Sequence, residues 1–331
     1  MSNSIKSDKT IKWGIIGCGN VTEVKSGPAY KMTEGFELVA VMRRDEAKAK
    51  DYAERHQIKK YYSDADALIN DEEIDAVYIA TPPDSHKYYA LKVADAGKIC
   101  CIEKPMTPSY SDSLFIYNTF KQKNTPLFVA YYRRSLPRFL KVKEWLNSNQ
   151  IGEVRHINWI QTKPASNKDK SKVYNWRTDS KIAPGGYFDD LASHGLDLFA
   201  FLLGDYADAS GFATNQQGYY NAPDAVTANW IHDSGATGSG TWDFGADDHL
   251  DKAVIFGNKG KIEFAVFHDK PLVLTSSNKN ESLILENPKH IQQFHVECMR
   301  GELINNNCKH PSNGKSALHT NWVMDKILGK I

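Results

Sequence analysis

Over roughly its first 130 residues the chain alternates short apolar runs with helical stretches, and that alternation leaves few folds open. "IKWGIIG" (11–17), "FELVAVM" (36–42), "DAVYIAT" (75–81), "KICCIEK" (98–104) and "PLFVAYY" (126–132) have the length and composition of buried strands. Between them lie helical stretches such as "DEAKAKDYAERH" (45–56) and "SHKYYALKVADAG" (85–97), the second closing on Gly97 as a C-cap. A strand–helix–strand order of this kind predicts a parallel, doubly wound sheet with right-handed crossovers. Ligands of such sheets lie beyond the carboxyl ends of the strands, so the chemistry belongs where the apolar runs stop.

The first run stops at "GIIGCGNVTEV" (14–24). Gly17 permits a tight turn and Gly19 lets the backbone of Asn20 and Val21 approach a pyrophosphate at a helix start. Thr22 stands where a third glycine is usual, and "SGP" (26–28) breaks the helix early. The second run ends in Met42, Arg43, Arg44 and Asp45. Two arginines can clamp a 2′-phosphate, which points to NADP; if Asp45 instead swings back to the ribose, NAD is the alternative. "ATPPDSH" (80–86) puts Thr81, Pro82 and His86 at the end of another run, where His86 is either a cofactor contact or a helix-start residue. "EKP" (103–105) ends the next. Pro105 stops the strand and restricts Lys104, which is either a solvated turn lysine or a residue aimed into the cleft.

Beyond residue 150 the rhythm changes. "EVRHINWIQTK" (153–163), "TANWIHDSG" (227–235), "ATGSGTWDFG" (236–245), "DKAVIFGNKGKIEF" (251–264) and "PLVLTS" (271–276) read as antiparallel strands, with helices near 137–149, 189–203, 290–301 and 314–328. This gives two domains: a dinucleotide-binding domain over 1–130, with 1–10 a loose tail, and an α+β domain with a large, mostly antiparallel sheet over 131–331. Trp159, Trp230 and Trp242 lie on its strands. An open sheet needs a cover, so a homodimer or homotetramer through this sheet is expected. The helix in "PGGYFDDLASHGLDLFAFLLG" (184–204) is apolar except for Asp190, His194 and Asp197 at i, i+4 and i+7. A polar stripe on an apolar helix must be paired or face a site. Asp197 reads as structural, and Asp190 with His194 as a carboxylate orienting an imidazole. The pair has no evident third ligand, so no metal is expected.

The 331 residues carry a formal charge of +1, which gives no electrostatic case for nucleic acid or an anionic membrane as partner. No apolar run approaches the ~20 residues a bilayer span needs. Five cysteines without framework spacing fit reduced thiols in a cytoplasmic protein.

"GIIGCGN", "ATPPDSH", "EKP" and "GGYFDDLASH", together with "WRTD" (176–179) and the closing helix, resemble the Gfo/Idh/MocA oxidoreductases. That family includes glucose–fructose oxidoreductase, inositol dehydrogenases and related sugar dehydrogenases. The resemblance implies hydride transfer between a nicotinamide and a hydroxyl or carbonyl of a sugar, sugar derivative or polyol. It implies that Lys104 bonds the reacting oxygen, that His194 donates or accepts the proton, and that Asp190 completes the cluster. It further implies that Trp176 and Arg177 meet the cofactor, that Tyr131 and Arg177 meet the substrate, and that Glu103 positions Lys104 or meets the cofactor. Thr22 and Ala130, before Tyr131-Tyr132, depart from the family pattern and bear on cofactor affinity. From another class, a non-catalytic nucleotide- or sugar-binding regulator on this scaffold is the alternative; intact Lys104, Asp190 and His194 speak against it.

Overall fold

The computed structural model describes residues 10–277, 279–305 and 308–331, and the chain divides into two compact units. One takes the chain up to Thr107 with Ser111–Ser135 and Pro288–Leu318; the other takes Pro108–Tyr110, Leu136–Asn287 and His319–Ile331.

The first unit is built on a six-stranded parallel sheet of β1 (Ile11–Ile16), β2 (Phe36–Met42), β3 (Lys60–Tyr62), β4 (Ala76–Ile79), β5 (Ile99–Ile102) and β6 (Leu127–Val129), in the order β3-β2-β1-β4-β5-β6. Helices α1 (Asn20–Val24), α2 (Gly27–Met32), α3 (Glu46–His56), α4 (Ala65–Ile69), α5 (His86–Asp95) and α6 (Tyr110–Lys123) make the connections. The strands are continuous apolar runs because both faces are covered: Val77, Ile79, Cys100 and Ile102 join one core cluster, Ala76, Tyr78 and Cys101 the other. The order reverses between β1 and β4, and parallel strands bring the ends of β1, β2, β4 and β5 to one edge.

The second unit holds an eight-stranded sheet of β7 (Val154–Thr162), β8 (Tyr206–Thr214), β9 (Ala225–His232), β10 (Thr237–Asp243), β11 (Leu250–Gly257), β12 (Gly260–Phe264), β13 (Leu272–Ser276) and β14 (Asn280–Leu283). Its order is β14-β13-β12-β11-β7-β10-β9-β8, antiparallel except for β7 beside β10. Helices α7 (Pro137–Asn147), α8 (Asn167–Lys170) and α9 (Tyr187–Leu203) belong to this unit. Gly195 lets α9 lie against the sheet, since a Cβ there would fall 2.2 Å from the Trp159 ring. Trp159 and Trp230 pack on Phe199, and Trp242 on Phe188, with centroids 5.0–6.2 Å apart. The tryptophans therefore face the unit's own helix rather than another subunit, which corrects the reason given for assembly. The opposite side of β9 and β10 presents Thr227, Asn229 and Ile231, and Thr237, Ser239 and Thr241, so it is mostly polar.

The chain then returns to the first unit through α10 (Gln293–Arg300), and α11 (Gly314–Ile327) starts there and ends in the second. Val296 and Met299 of α10 complete the core cluster around Trp13 and Tyr30, and Asn313 bridges Phe128 beside β6. Residues 288–318 thus pack apart from the 131–331 stretch expected as one domain. The apolar face of α10 fills a sheet face formed far away in sequence.

Candidate active site

At the end of β1, Gly17 has φ +92°, and a Cβ on it would fall 2.7 Å from Thr81 Cγ2. A Cβ at Gly19 would meet nothing nearer than the Gly17 carbonyl at 3.9 Å, so glycine leaves open there the room a pyrophosphate needs. Thr22 is fully buried and turned inward: its Oγ1 accepts from Gly19 N and donates to Gly19 O, both at 2.9 Å. The departure from the glycine pattern thus closes the first turn of α1. A Cβ at Gly27 would strike Thr22 O at 2.3 Å, so close packing behind this turn falls to Gly27. With Gly19 N–H taken, the N–H groups of Asn20 and Val21 have no backbone acceptor among the described residues and remain for a phosphate. Arg43, half-buried at the end of β2, donates from Nη1 to Cys18 O (3.3 Å), which holds its cation beside the glycine turn; Arg44 is exposed. Asp45 caps α3, accepting from Lys48 N at 3.1 Å and pairing with Lys48 Nζ at 3.0 Å. These residues fit a dinucleotide.

Directly after β5, Glu103 is buried and acts as a three-way acceptor. Tyr78 Oη (2.5 Å) and Gln292 Nε2 (2.7 Å) donate to its Oε1, and the Lys104 backbone N–H (3.1 Å) donates to Oε2. It thereby holds the backbone amide of Lys104. His86 is fully buried, which pulls its pKa below the usual histidine value. Its Nδ1 lies 3.1 Å from the carbonyls of Pro105 and Met106, and its Nε2 2.8 Å from that of Thr81. It braces the end of β4 against the turn after Lys104 and has no ring nitrogen left for a cofactor, contrary to that expectation. Thr81 and Pro82 remain accessible on the same edge. Tyr131 is fully buried in a core cluster and offers no surface to a substrate.

In the second unit, α9 opens at Gly186 (φ +65°), where a Cβ would strike Pro223 O at 2.5 Å. Asp190 receives a hydrogen bond from Arg177 Nε at 2.7 Å, and the guanidinium carbon lies 4.3 Å from the centroid of the Trp176 ring. "WRTD" and the D-x-x-x-H helix are thus joined within one unit. His194 is buried, edge-on to Phe267 with centroids 5.7 Å apart. Phe267 is held by Asp251, which accepts from the amides of Val266, Phe267 and His268 and from Trp159 Nε1. Asp197 is fully buried and accepts from Thr320 Oγ1 at 3.0 Å, the structural role expected of it. Sequence reasoning missed Lys163, whose ammonium sits 3.6 Å from the centroid of the Tyr187 ring with the Asp169 and Asp190 charges near; burial lowers its pKa. It missed Gln292 as well; neither carries a motif. Among the described residues no group of three or more His, Cys, Asp or Glu is arranged to hold a metal ion.

Residues 11–131 match the family model described as an oxidoreductase family with an NAD-binding Rossmann fold, and residues 139–263 match its GFO/IDH/MocA C-terminal domain. The chain belongs to the GFO/IDH/MocA oxidoreductase family. One family relative is oxidoreductase P35 of Formosa agariphila, 39% identical over 97% of this chain and 99% of that protein. Another is the myo-inositol 2-dehydrogenase of Thermotoga maritima, 25% identical over 79% of this chain and 77% of its own. The solved levoglucosan dehydrogenase, in complex with NADH and levoglucosan, has the same fold at a TM-score of 0.84 and 20% identity, covering 96% of each chain. As a member of this family the chain is a nicotinamide-dependent oxidoreductase. No helix among the described residues is long and apolar enough to cross a membrane.

Proposed function

We propose that this oxidoreductase prefers NADP and moves hydride between the nicotinamide and a hydroxyl or carbonyl carbon of a sugar, sugar derivative or polyol. The observation that carries the cofactor choice is the division of labour after β2. Asp45, the residue that could take a ribose 2′-hydroxyl, is committed to the α3 cap, while Arg43 is held over the glycine turn. A fixed guanidinium favours a 2′-phosphate and leaves a free 2′-hydroxyl without an acceptor. The substrate class rests on the family and on relatives whose names specify inositol and levoglucosan.

When bound, the nicotinamide supplies the hydride acceptor or donor. The roles of the chain's own groups follow from charge. Oxidation of a hydroxyl releases a proton from its oxygen, and an imidazole nitrogen of His194 takes it; reduction of a carbonyl returns it. The Lys104 ammonium stabilises the negative charge that gathers on that oxygen, and Glu103 holds the backbone from which it reaches. Asp190, fixed by Arg177, lies one helical turn before His194 on the same face of α9 and completes the cluster. The unpaired thiols of all five cysteines support a cytoplasmic setting. The polar outer face of β9 and β10 remains the proposed surface for a homodimer or homotetramer.

A panel of sugars and polyols, followed by nicotinamide absorbance with NADP and with NAD, tests this reading. Turnover with NADP at the lower KM is expected, and Lys104→Met should abolish most of it while NADP binding persists. No turnover across the panel, or equal use of NAD and NADP, would overturn the corresponding half of the proposal.

A further inference from the structure

The segment 164–183, whose path sequence alone does not give, folds into the wall of a cavity of about 370 Å³ in the second unit. Tyr174, Asn175, Thr178, Tyr219, Tyr220 and Asn221 line it. A short 3₁₀ helix, Trp176–Thr178, runs along it and carries Arg177 to Asp190. In such a helix residues three apart share a face, so Asn175 and Thr178 look to the cavity while Arg177 turns to Asp190.

The walls are tied before any ligand arrives. Ser180 N donates to Asn221 Oδ1 at 2.9 Å, joining the two loops, and Asn215 Nδ2 holds the carbonyls of Tyr220 and Ala222. Asn175 Nδ2 and the Asp169 carboxylate both bond Tyr187 Oη. The charges in the lining cancel: Asp169 and Asp179 against Lys172 and Lys181. Both carboxylates are already engaged, Asp169 by Ser166 and Asp179 by the Lys181 amide. Such a lining does not select an anion. The Tyr220 hydroxyl is a buried group with no hydrogen-bond partner among the described residues. Tyrosine rings with amide and hydroxyl groups suit the apolar faces and hydroxyl edges of a neutral sugar ring, and the volume lies in the range of small-molecule pockets.

We propose that this cavity is a subsite for a second, neutral sugar ring, so that the preferred substrate is a glycoside or disaccharide rather than a free monosaccharide. This rests on the sugar reading of the Asp190–His194 site. It adds that the part of the substrate beyond the reacting ring is gripped beside Asn175 and Thr178, next to the Arg177–Asp190 pair.

The test uses the full chain and pyranosides of gluco, galacto, manno and xylo configuration, each as monosaccharide and as disaccharide. Binding is read by ¹⁹F NMR of protein carrying fluorotyrosine, with the Tyr219 and Tyr220 signals assigned by substitution, and turnover by nicotinamide absorbance. At least one disaccharide should shift those two signals and bind about tenfold or more tighter than its monosaccharide. Tyr219→Ala, which removes a wall, and Val173→Trp, which fills the space from an exposed rim position, should both erase that preference. Melting curves and NADP affinity report whether each variant folds. If no disaccharide shifts the tyrosine signals, or if the preference survives both variants, the subsite does not exist. Signals that shift without turnover of any sugar would retain the subsite and refute the sugar-oxidoreductase reading instead.

Discussion

Replacing Glu103 by Ala removes the acceptor shared by three donors and separates stability from catalysis. Two of the three, Tyr78 Oη and Gln292 Nε2, bond Oε1 in the buried interior, at 2.5 and 2.7 Å. Each loses its partner where water does not easily reach, at roughly 1–3 kcal/mol apiece, so about 2–6 kcal/mol in all. At about 2–4 °C per kcal/mol for a unit of this size, Tm should drop on the order of 10 °C. The third donor, Lys104 N, is only part-buried and can turn to water, so its loss appears in position rather than stability. Released from Oε2, the lysine should hold its charge less well against the developing alkoxide, and kcat should fall about tenfold or more. Glu103→Gln is the milder control. Gln292 has an unpartnered Oε1 and can flip to accept from the new amide, so this variant should melt within a few degrees of the parent. Melting curves and steady-state kinetics at saturating NADP decide the matter. If Glu103→Ala melts early but turns over at the parental rate, the carboxylate holds the core and does not position Lys104.

Arg43→Asp should weaken NADP by roughly tenfold to a hundredfold and shift preference toward NAD, as measured by titration of each cofactor; an unchanged ratio would remove the basis of the NADP assignment. His194→Ala should lower kcat by ~10²–10⁴ with NADP affinity retained, read from kinetics alongside a binding isotherm. Asp189, whose carboxyl is raised to about 6 by burial beside α9's start, predicts a pH effect. In the folded chain it keeps its proton to about pH 6, and unfolded only to 3.8, so its contribution is complete below the lower value and lost as pH rises through the upper. Asp189→Asn should therefore be more stable than the parent above about pH 6, by on the order of 3 kcal/mol in denaturant unfolding, with the gap closing below about pH 4; a gap independent of pH would refute this.

How far the sequence reaches can be judged from Tyr78 and Thr22. The apolar run around Tyr78 announces a strand buried on both faces, because local composition reports burial. That its hydroxyl is bonded to Glu103, and that Glu103 is also bonded to Gln292, depends on 288–318 returning to the first sheet, and no local pattern encodes that return. Thr22 read as a flaw in a glycine motif, yet its hydroxyl closes the turn that the motif requires. His86 and the three tryptophans show the reverse error. They look functional in sequence because polar or bulky groups stand out there, and packing consumes them: His86 between three carbonyls, the tryptophans against α9.

The residues proposed for catalysis and those that hold them are unequally legible for the same reason. Lys104, Asp190 and His194 stand out because each interrupts an otherwise apolar element, where a polar group is costly unless it is used. Two of the groups that hold them interrupt nothing. Gln292 precedes an amphipathic helix and Arg177 lies in a polar loop, so each has an ordinary local reason to be polar; Asp251, buried on the strand face it shares with Ala253 and Ile255, does not. Their roles come from partners distant in the chain: Gln292 on Glu103, Asp251 on the 266–268 amides, Arg177 on Asp190. The candidate reacting groups are therefore visible as local violations, whereas Gln292 and Arg177 satisfy every local rule and become visible only when the fold supplies the second half of each pair.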